Sequence, residues 1–272
     1  MWTFYTLQYA DSALKGGVFR HAQLITGSSG GMIGAAYFRE LYLEKQEHKI
    51  KDINSGRYLT NISEDILNPV AFAIATNDLA FRFQKYTDGK YVYTRDRGLA
   101  FEHKLDENTD SALCKRLRDY YTPEENAEIP MMIITPTVVN DGRKMLVSPL
   151  GLSFMTNYAI DSNVNYMPLV QSLEFSRLFA RQDAGNLVFT SALRMNATFP
   201  YITPVTALPS QPVIDVMDAG LLDNFGLEAT IKYIYSFRKW LQENTSRIII
   251  IQIRDQYKQP KIVNNAPKDI MQ

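Results

Sequence analysis

Apolar residues recur at helical spacing in some segments of the 272-residue chain and form short continuous runs in others. Residues 2–13 are predicted to form a helix that stops at Gly16-Gly17, because glycine is common at the C-terminal end of helices. Residues 22–26 form a short apolar run that predicts a β-strand. Residues 32–49 then carry apolar side chains at helical spacing. The beginning of the chain therefore predicts a helix, a strand and a second helix in this order.

The middle of the chain has less regular patterns. A helix is predicted to begin near Ser63, because Ser63-Glu64-Asp65 would provide an N-cap followed by an acidic first turn. Residues 78–109 are polar and aromatic without a clean period and are predicted to be irregular. Residues 111–121 are predicted to form a short amphipathic helix. This part of the chain is therefore expected to supply helices and one irregular connection.

Strand and helix patterns alternate in the second half of the chain. Asn140-Asp141-Gly142 lies between the apolar runs 131–134 and 144–147, which is typical of a β-hairpin. Helices are predicted over residues 169–181, 190–197 and 226–243, and strands over residues 213–217 and 247–253. The isoleucine-rich strand over 247–253 is expected to be buried. Alternating strands and helices, with few polar residues in the strands, predict an α/β fold in which helices cover both faces of a sheet.

Composition narrows the classes of protein that need to be considered. The 29 Lys and Arg residues balance 29 Asp and Glu residues, which argues against a polybasic nucleic-acid binder. A single cysteine, Cys114, excludes an internal disulfide framework and a cysteine-based zinc site. No internal repeat or flexible linker is visible, so residues 1–272 are expected to form one domain. No metal, cofactor or nucleic-acid partner is expected. Neither a signal peptide nor a spanning segment is recognised, which favours a cytoplasmic or peripheral membrane location.

A glycine-rich turn follows the first predicted strand. Residues 27–31 read Gly-Ser-Ser-Gly-Gly, and strand, G-x-S-x-G and helix in this order are typical of a nucleophile elbow. Ser29 has Gly27 two residues before it and Gly31 two residues after it. Ser28 lacks the matching glycine, because residue 26 is threonine. Ser29 is therefore the candidate nucleophile.

Two other readings of this turn stay open. It could be a purely structural glycine turn, or it could bind a phosphate or nucleotide at the start of the following helix. The dinucleotide fingerprint G-x-G-x-x-G is absent, and so is the Gly-Lys-Ser/Thr of a Walker loop. The sequence thus favours the nucleophile without excluding the alternatives.

A serine nucleophile needs a base, and histidine is scarce in this chain. The three histidines are His21, His48 and His103, whereas an α/β-hydrolase places its catalytic histidine after the serine and the acid. Each histidine is predicted to lie on the surface. The remaining candidate base is Asp218, at the end of the strand over 213–217 and before a glycine turn. Taken alone, Asp218 is read more readily as a turn-forming residue, with Asp223 or Asn224 as a helix N-cap.

The two motifs together resemble those of the patatin-like phospholipase family. Residues 25–36 resemble its G-x-S-x-G elbow, and Asp218-Ala219-Gly220 followed by Asp223-Asn224 resembles its D-G-G/A segment. The likeness extends over roughly residues 23–253. It implies a three-layer α/β/α sandwich with a central, mostly parallel sheet. It also implies a lipid acyl hydrolase with a Ser29–Asp218 dyad and no cofactor.

The chain departs from the family pattern at two places. Ala219 replaces the first glycine of the D-G-G/A segment, a small change that is expected to preserve the turn. The family's glycine-rich oxyanion loop is not recognised, and residues 15–20 read better as the end of a helix. The domain is therefore expected to be incomplete at its N-terminus. The Gly30 N–H, at the start of the helix after the elbow, is the candidate oxyanion donor.

Two function classes follow from these features. The first is a serine hydrolase that cleaves fatty-acyl esters of lipids and makes transient contact with a membrane surface. The second is a non-catalytic lipid-binding or interaction domain that keeps the fold without a competent oxyanion hole. Reaction of Ser29 with a fluorophosphonate would separate them.

Overall fold

Helices and strands are both present throughout the structure, a computed structural model that describes residues 1–80, 84–156, 170–199 and 202–256. The α-helices are α1 (Trp2–Ala13), α2 (Val18–His21), α3 (Ser29–Gln46), α4 (Gly56–Ser63), α5 (Leu67–Ala73), α6 (Arg97–Asn108), α7 (Tyr121–Glu125), α8 (Phe175–Leu178), α9 (Phe189–Asn196), α10 (Leu227–Ser236) and α11 (Arg238–Asn244). The strands are β1 (Leu24–Thr26), β2 (Lys85–Asp88), β3 (Tyr91–Thr94), β4 (Met131–Ile133), β5 (Thr137–Val138), β6 (Lys144–Leu146), β7 (Ser172–Glu174), β8 (Thr206–Leu208) and β9 (Ile214–Met217). The expected mixture of helix and sheet is confirmed.

The strands form one five-stranded sheet and two separate pairs. The five-stranded sheet has the order β7-β6-β5-β9-β8, while β1 pairs with β4 and β2 pairs with β3. Within the five-stranded sheet only β6 and β7 are parallel, and the other three ladders are antiparallel. The expectation of a mostly parallel central sheet is therefore wrong for the described strands. Short connections explain the difference, because the chain between β5 and β6 and between β8 and β9 is too short for a parallel crossover.

Helix α3 forms the centre of the core. Residues 32–41 are all buried, including the small residues Gly34, Ala35 and Ala36. A Cβ atom on Gly34 would lie 3.1 Å from the backbone nitrogen of Phe4, so this glycine allows α1 to pack closely against α3. A helix with apolar residues on all sides is expected to be enclosed by other elements. The first residue of this central helix is Ser29.

Buried charges on α3 are paired with residues outside the helix. Arg39 pairs with Glu124, and Glu40 pairs with Lys115. The Tyr120 hydroxyl also donates a hydrogen bond of 2.7 Å to Glu40. Removing one member of such a pair leaves a buried charge without compensation, which typically costs about 3–5 kcal/mol. These pairs therefore fix the middle of α3 against the surrounding elements.

Several predicted elements are confirmed with small shifts in their bounds. The helix over 2–13 is observed as α1, and the helix over 190–197 is observed as α9. The strand over 213–217 is observed as β9, and the first strand–helix pair is observed as β1 and α3. Sequence periodicity thus located the elements that carry the two motifs.

The predictions for the middle of the chain are correct only in part. The helix predicted near Ser63 is observed as α5, which begins at Leu67, and the Asp65 carboxylate accepts hydrogen bonds from the Leu67 and Asn68 N–H groups, whereas Ser63 itself ends α4. The stretch 78–109, expected to be irregular, contains β2, β3 and α6. The stretch 111–121 forms only a 3₁₀ turn over Leu117–Tyr120 instead of a helix. The hairpin of β2 and β3 and the Asp96 cap of α6 form without the apolar periodicity from which stretch 78–109 was judged irregular.

The hairpin around Asn140-Asp141-Gly142 exists, but its first strand differs from the prediction. β6 pairs across the turn with β5, which lies closer to the turn than the predicted run 131–134. β4 instead pairs in parallel with β1, apart from one isolated bridge between Ile134 and Val147. β4 therefore links the elbow strand to the hairpin region. Of the predicted helix over 169–181, residue 169 lies outside the described residues, and the rest contains β7 and the short α8.

The C-terminal part departs most from expectation. The helix predicted over 226–243 is divided into α10 and α11 at Phe237. Residues 247–253 form no strand, and Ile248, Ile249, Ile250 and Ile251 are all exposed. The prediction of a buried strand is wrong here, because no strand of the described residues pairs with this segment. Among the described residues, no helix has both the length and the apolarity required to cross a bilayer.

Candidate active site

The turn between β1 and α3 has the geometry of a nucleophile elbow. Ser28 is extended, and Ser29 begins α3 with a φ of 53°. A positive φ is unfavourable for residues with a side chain and is often retained at functional sites. The structure therefore confirms a strained strand-to-helix turn at the predicted nucleophile.

The second serine of the turn has a different role. The Ser28 side chain is buried, and its hydroxyl donates a hydrogen bond to the Asn224 carbonyl. This bond ties the elbow to the loop that follows β9. The position of Ser28 agrees with the choice of Ser29, rather than Ser28, as candidate nucleophile.

Asp218 directly follows β9 and lies beside Ser29. The Ser29 side chain lies close enough to the Asp218 carboxylate to lower the pKa of that group. The other partner of this carboxylate is the Gly220 N–H, at 2.7 Å from Oδ1. Asp218 therefore contributes to the turn, as the alternative reading proposed, and also faces the serine. The structure brings together the two residues that the sequence singled out.

Burial determines the direction of the Asp218 pKa. Loss of solvent raises the pKa of this carboxyl above its ordinary value, while the hydrogen bonds from Gly220 and Ser29 act to lower it. The net direction is upward, which makes the carboxylate a stronger base than a solvated aspartate. This is the direction required of a group that accepts the proton of a serine hydroxyl.

The loop over residues 218–226, hereafter the Asp218 loop, packs directly on the elbow. Gly226 has a φ of 66°, and a Cβ atom there would lie 2.3 Å from the Gly27 backbone nitrogen. The Thr26 hydroxyl donates a hydrogen bond of 2.8 Å to the Gly226 carbonyl. A side chain at position 226 would therefore push the loop away from the elbow. Gly226 was missed as a site residue, although a glycine at the first position of a predicted helix was visible in the sequence.

The sheet holds the other end of the Asp218 loop. The Thr137 hydroxyl donates a hydrogen bond of 2.9 Å to the Asp218 carbonyl. Ala219 is fully buried in the 3₁₀ turn that follows, so the turn accommodates its methyl group. The buried Asp223 carboxylate accepts a hydrogen bond of 3.0 Å from the Ala229 N–H in α10. The N-cap position of α10 is Gly226, so the prediction of Asp223 or Asn224 at that position is wrong, although the Asp223 side chain accepts from the first turn of the helix.

Asn196 is a further contact to the elbow that the sequence did not reveal. Its side chain is fully buried at the end of α9. Its amide donates to the Gly27 carbonyl at 3.3 Å, and its side-chain oxygen accepts from the Thr135 N–H at 3.0 Å. Asn196 therefore connects the elbow to the segment between β4 and β5. The sequence showed only an asparagine near the end of a predicted helix, and the partners of this asparagine are distant in sequence.

The N-terminus of α3 offers space and a donor for an oxyanion. Gly30 is exposed, and no non-neighbouring atom lies within 4 Å of the position that its Cβ would occupy. Its backbone N–H lies in the first turn of α3, where N–H groups are not paired within the helix. Gly31, the other glycine of the motif, faces α1, because a Cβ atom added to it would lie 3.5 Å from the Thr3 hydroxyl. Gly30 therefore remains the candidate donor.

The glycines after α1 lie far from this site. Gly16 has a φ of 81° and lies near Lys45, in the last turn of α3. Lys45 is 16 residues from Ser29, or about 24 Å along the helix axis. The reading of residues 15–20 as a helix end, and not as an oxyanion loop, agrees with this position.

The described residues offer neither a buried histidine nor a metal-binding cluster as a further reactive group. His21, His48 and His103 are all exposed, as predicted. No group of three or more His, Cys, Asp or Glu side chains in the described ranges is arranged to hold a metal ion. The candidate site therefore consists of a serine, a carboxylate and backbone N–H groups.

Comparison of the chain with protein-family models, with curated proteins and with solved structures found no significant match. Interpretation of the site therefore rests on its geometry and on the two motifs that the sequence presents.

Proposed function

We propose that this chain is a serine acyl hydrolase that cleaves fatty-acyl esters of lipids through a Ser29–Asp218 dyad, on a patatin-like three-layer fold. The observation that carries the proposal is the strained Ser29 at the N-terminus of α3, with its hydroxyl facing the partly buried Asp218 carboxylate. Elbow geometry, a base with a raised pKa and a helix N-terminus are the three parts that acyl transfer requires.

The reaction begins when Asp218 accepts the proton of the Ser29 hydroxyl as Oγ attacks the ester carbonyl. The negative charge that develops on the carbonyl oxygen is stabilised by the Gly30 N–H and by the N-terminal end of α3. The C–O bond to the alcohol then breaks, and the protonated Asp218 gives its proton to the leaving alkoxide. Ser29 is left as an acyl-enzyme.

The second half of the reaction uses water as the nucleophile. Asp218 accepts a proton from water as the water oxygen attacks the acyl-enzyme carbonyl. The bond to Ser29 Oγ breaks, the serine takes the proton back from Asp218, and the fatty acid leaves. Water is consumed once, and both residues return to their initial protonation states.

The exposed apolar side chains of the Asp218 loop support the proposal that the substrate is apolar. Three large apolar side chains of the Asp218 loop, Leu221, Leu222 and Phe225, are between 41% and 57% exposed. Exposed apolar side chains around a candidate site are typical of surfaces that contact an apolar ligand or a membrane. Long acyl chains are therefore expected to be preferred over acetyl groups.

Hydrolysis of p-nitrophenyl esters of increasing chain length tests this proposal. Ser29→Ala should abolish hydrolysis and Asp218→Asn should lower kcat by at least about 100-fold, because each removes one partner of the dyad. Ser28→Ala is the matched control. It removes the neighbouring hydroxyl and a loop contact, so hydrolysis should be slower but measurable. Equal rates for the wild type and all three variants would refute the dyad.

The same variants distinguish the non-catalytic alternative. A chain that binds phospholipid vesicles but hydrolyses no ester at any chain length would be a lipid-binding domain without catalytic function. Wild-type hydrolysis that depends on Ser29 would exclude that alternative.

A further inference from the structure

A buried lysine on the five-stranded sheet contacts the far end of the Asp218 loop. The side chain of Lys144, on β6, is 10% exposed, and its Nζ lies 3.2 Å from Oδ2 of Asp223. The same Nζ lies 2.7 Å from the exposed carboxylate of Glu228. A lysine is rarely buried unless its charge is compensated. The Asp223 carboxylate provides the buried part of that compensation.

Asp223 joins this lysine to the start of α10. Its Oδ1 accepts a hydrogen bond from the Glu228 N–H at 3.3 Å, and its Oδ2 accepts one from the Ala229 N–H at 3.0 Å. The carboxylate therefore accepts from the first turn of α10 and receives the lysine at the same time. Since Asp223 belongs to the Asp218 loop, its position sets where the loop ends.

The register of the sheet places the two residues that contact the loop, Thr137 and Lys144, on neighbouring strands. Lys144 is paired with Thr137, and Thr137 is paired in turn with Met217, the residue before Asp218. The Thr137 hydroxyl holds the Asp218 carbonyl. The beginning of the loop is thus fixed by β5, and its end is fixed by β6.

We propose that the Lys144–Asp223 ion pair is a positioning device that keeps the Asp218 carboxylate within hydrogen-bonding reach of Ser29. This inference rests on the proposed Ser29–Asp218 chemistry. Lys144 and Asp223 are positioning residues and not members of the proposed dyad, because their side-chain bonds go to each other and to the start of α10. They act through the loop, which is held on its other side by the bond from Ser28 to the Asn224 carbonyl.

The test compares four variants: Lys144→Met, Lys144→Arg, Asp223→Asn and Glu228→Gln. Lys144→Met and Asp223→Asn should lower kcat by about 10- to 100-fold, since misplacement of a reacting group by about 1 Å costs this much. KM should change by less than about 3-fold, because the substrate contacts remain. Lys144→Arg retains the charge and should recover part of kcat. Glu228→Gln is the matched control and should stay within about 2-fold of the wild type.

The pH profile provides a readout that loss of stability alone would not move. Displacement of Asp218 from Ser29 should shift the acidic limb of the kcat profile in Asp223→Asn and leave it in place in Glu228→Gln. Asp223→Asn preserves the shape of the side chain, so it serves as the folded test case if Lys144→Met fails to fold. An active wild type with an unchanged kcat and pH profile in folded Asp223→Asn would overturn the positioning role alone. An inactive wild type would instead overturn the proposed function and this inference together.

Discussion

The Asp218 loop and the isoleucine segment over 247–253 show opposite relations between sequence and structure. The loop has two glycines and no apolar periodicity, yet it is fixed by hydrogen bonds to the sheet and to the elbow. The isoleucine segment is among the most apolar stretches of the chain, yet its isoleucines are exposed. Hydrophobicity alone therefore does not decide which segment is held in place. A strand needs a partner at its edge, whereas a loop of this kind carries its own contacts.

The largest expected effect comes from placing a side chain where the loop meets the elbow. Gly226→Val should lower the free energy of unfolding by at least about 2–3 kcal/mol, because the new Cβ overlaps Gly27 and valine is strained at positive φ. Reaction of Ser29 with an active-site probe should be lost as well. Chemical denaturation and labelling rates measure the two effects.

Gly30→Ala is the matched control for this substitution. Its Cβ would meet open space, and alanine retains the backbone N–H and favours the helix over glycine. Stability should be unchanged or higher by up to about 1 kcal/mol. Equal losses in Gly226→Val and Gly30→Ala would contradict the close packing of the loop on the elbow.

A smaller effect is expected from the charge of Asp218. Its raised pKa means that the folded protein binds this proton more tightly than the unfolded chain does. Asp218 therefore opposes folding increasingly as the pH rises through its unfolded pKa of about 3.9 and up to its folded pKa. Asp218→Asn should have the higher Tm at pH 7, and the difference should shrink as the pH falls to 3.5. A lower Tm for the variant at pH 7 would show that the carboxylate is stabilised instead.

The same carboxylate should determine the acidic limb of activity. Ester hydrolysis should decline as Asp218 becomes protonated, at a pH above the ordinary range of a solvated aspartate. The initial rate of hydrolysis between pH 4 and 8 measures this limb. Full activity retained at pH 4 would exclude Asp218 as the base.

The smallest effect is expected in the isoleucine segment. Ile249 is 74% exposed, so Ile249→Ala should change the free energy of unfolding by less than about 0.5 kcal/mol. Ile133→Ala is the matched control in β4, where the side chain is fully buried, and it should cost about 2–5 kcal/mol. Urea denaturation of both variants provides the comparison. A loss of several kcal/mol in Ile249→Ala would mean that the segment is buried in solution, as its sequence alone predicted.

The sequence identified the elbow and Asp218 because their signals are local. A glycine turn between a strand and a helix depends on neighbouring residues only, and so does a carboxylate at a strand end. The hairpin of β2 and β3 is also local, but it lacks the apolar periodicity that was used to find elements. The sheet was less predictable, because its antiparallel order depends on which short strands meet.

The contacts that support the dyad could not be derived in this way. Asn196 is 169 residues from Gly27, and Lys144 is 79 residues from Asp223. Neither Asn196 nor Lys144 belongs to a local motif, so each of these two contacts is visible only once the chain is folded. The residues proposed to react were therefore easier to identify from the sequence than the residues that contact them.

The central claim is that Ser29 is an activated nucleophile, and covalent labelling with a fluorophosphonate tests it most directly. Intact-mass analysis should show one adduct per wild-type chain, and peptide mapping should place it on Ser29. Labelling should be absent in Ser29→Ala, strongly slowed in Asp218→Asn and retained in Ser28→Ala. The absence of an adduct on the folded wild-type chain, or an adduct on a different residue, would contradict the proposed function.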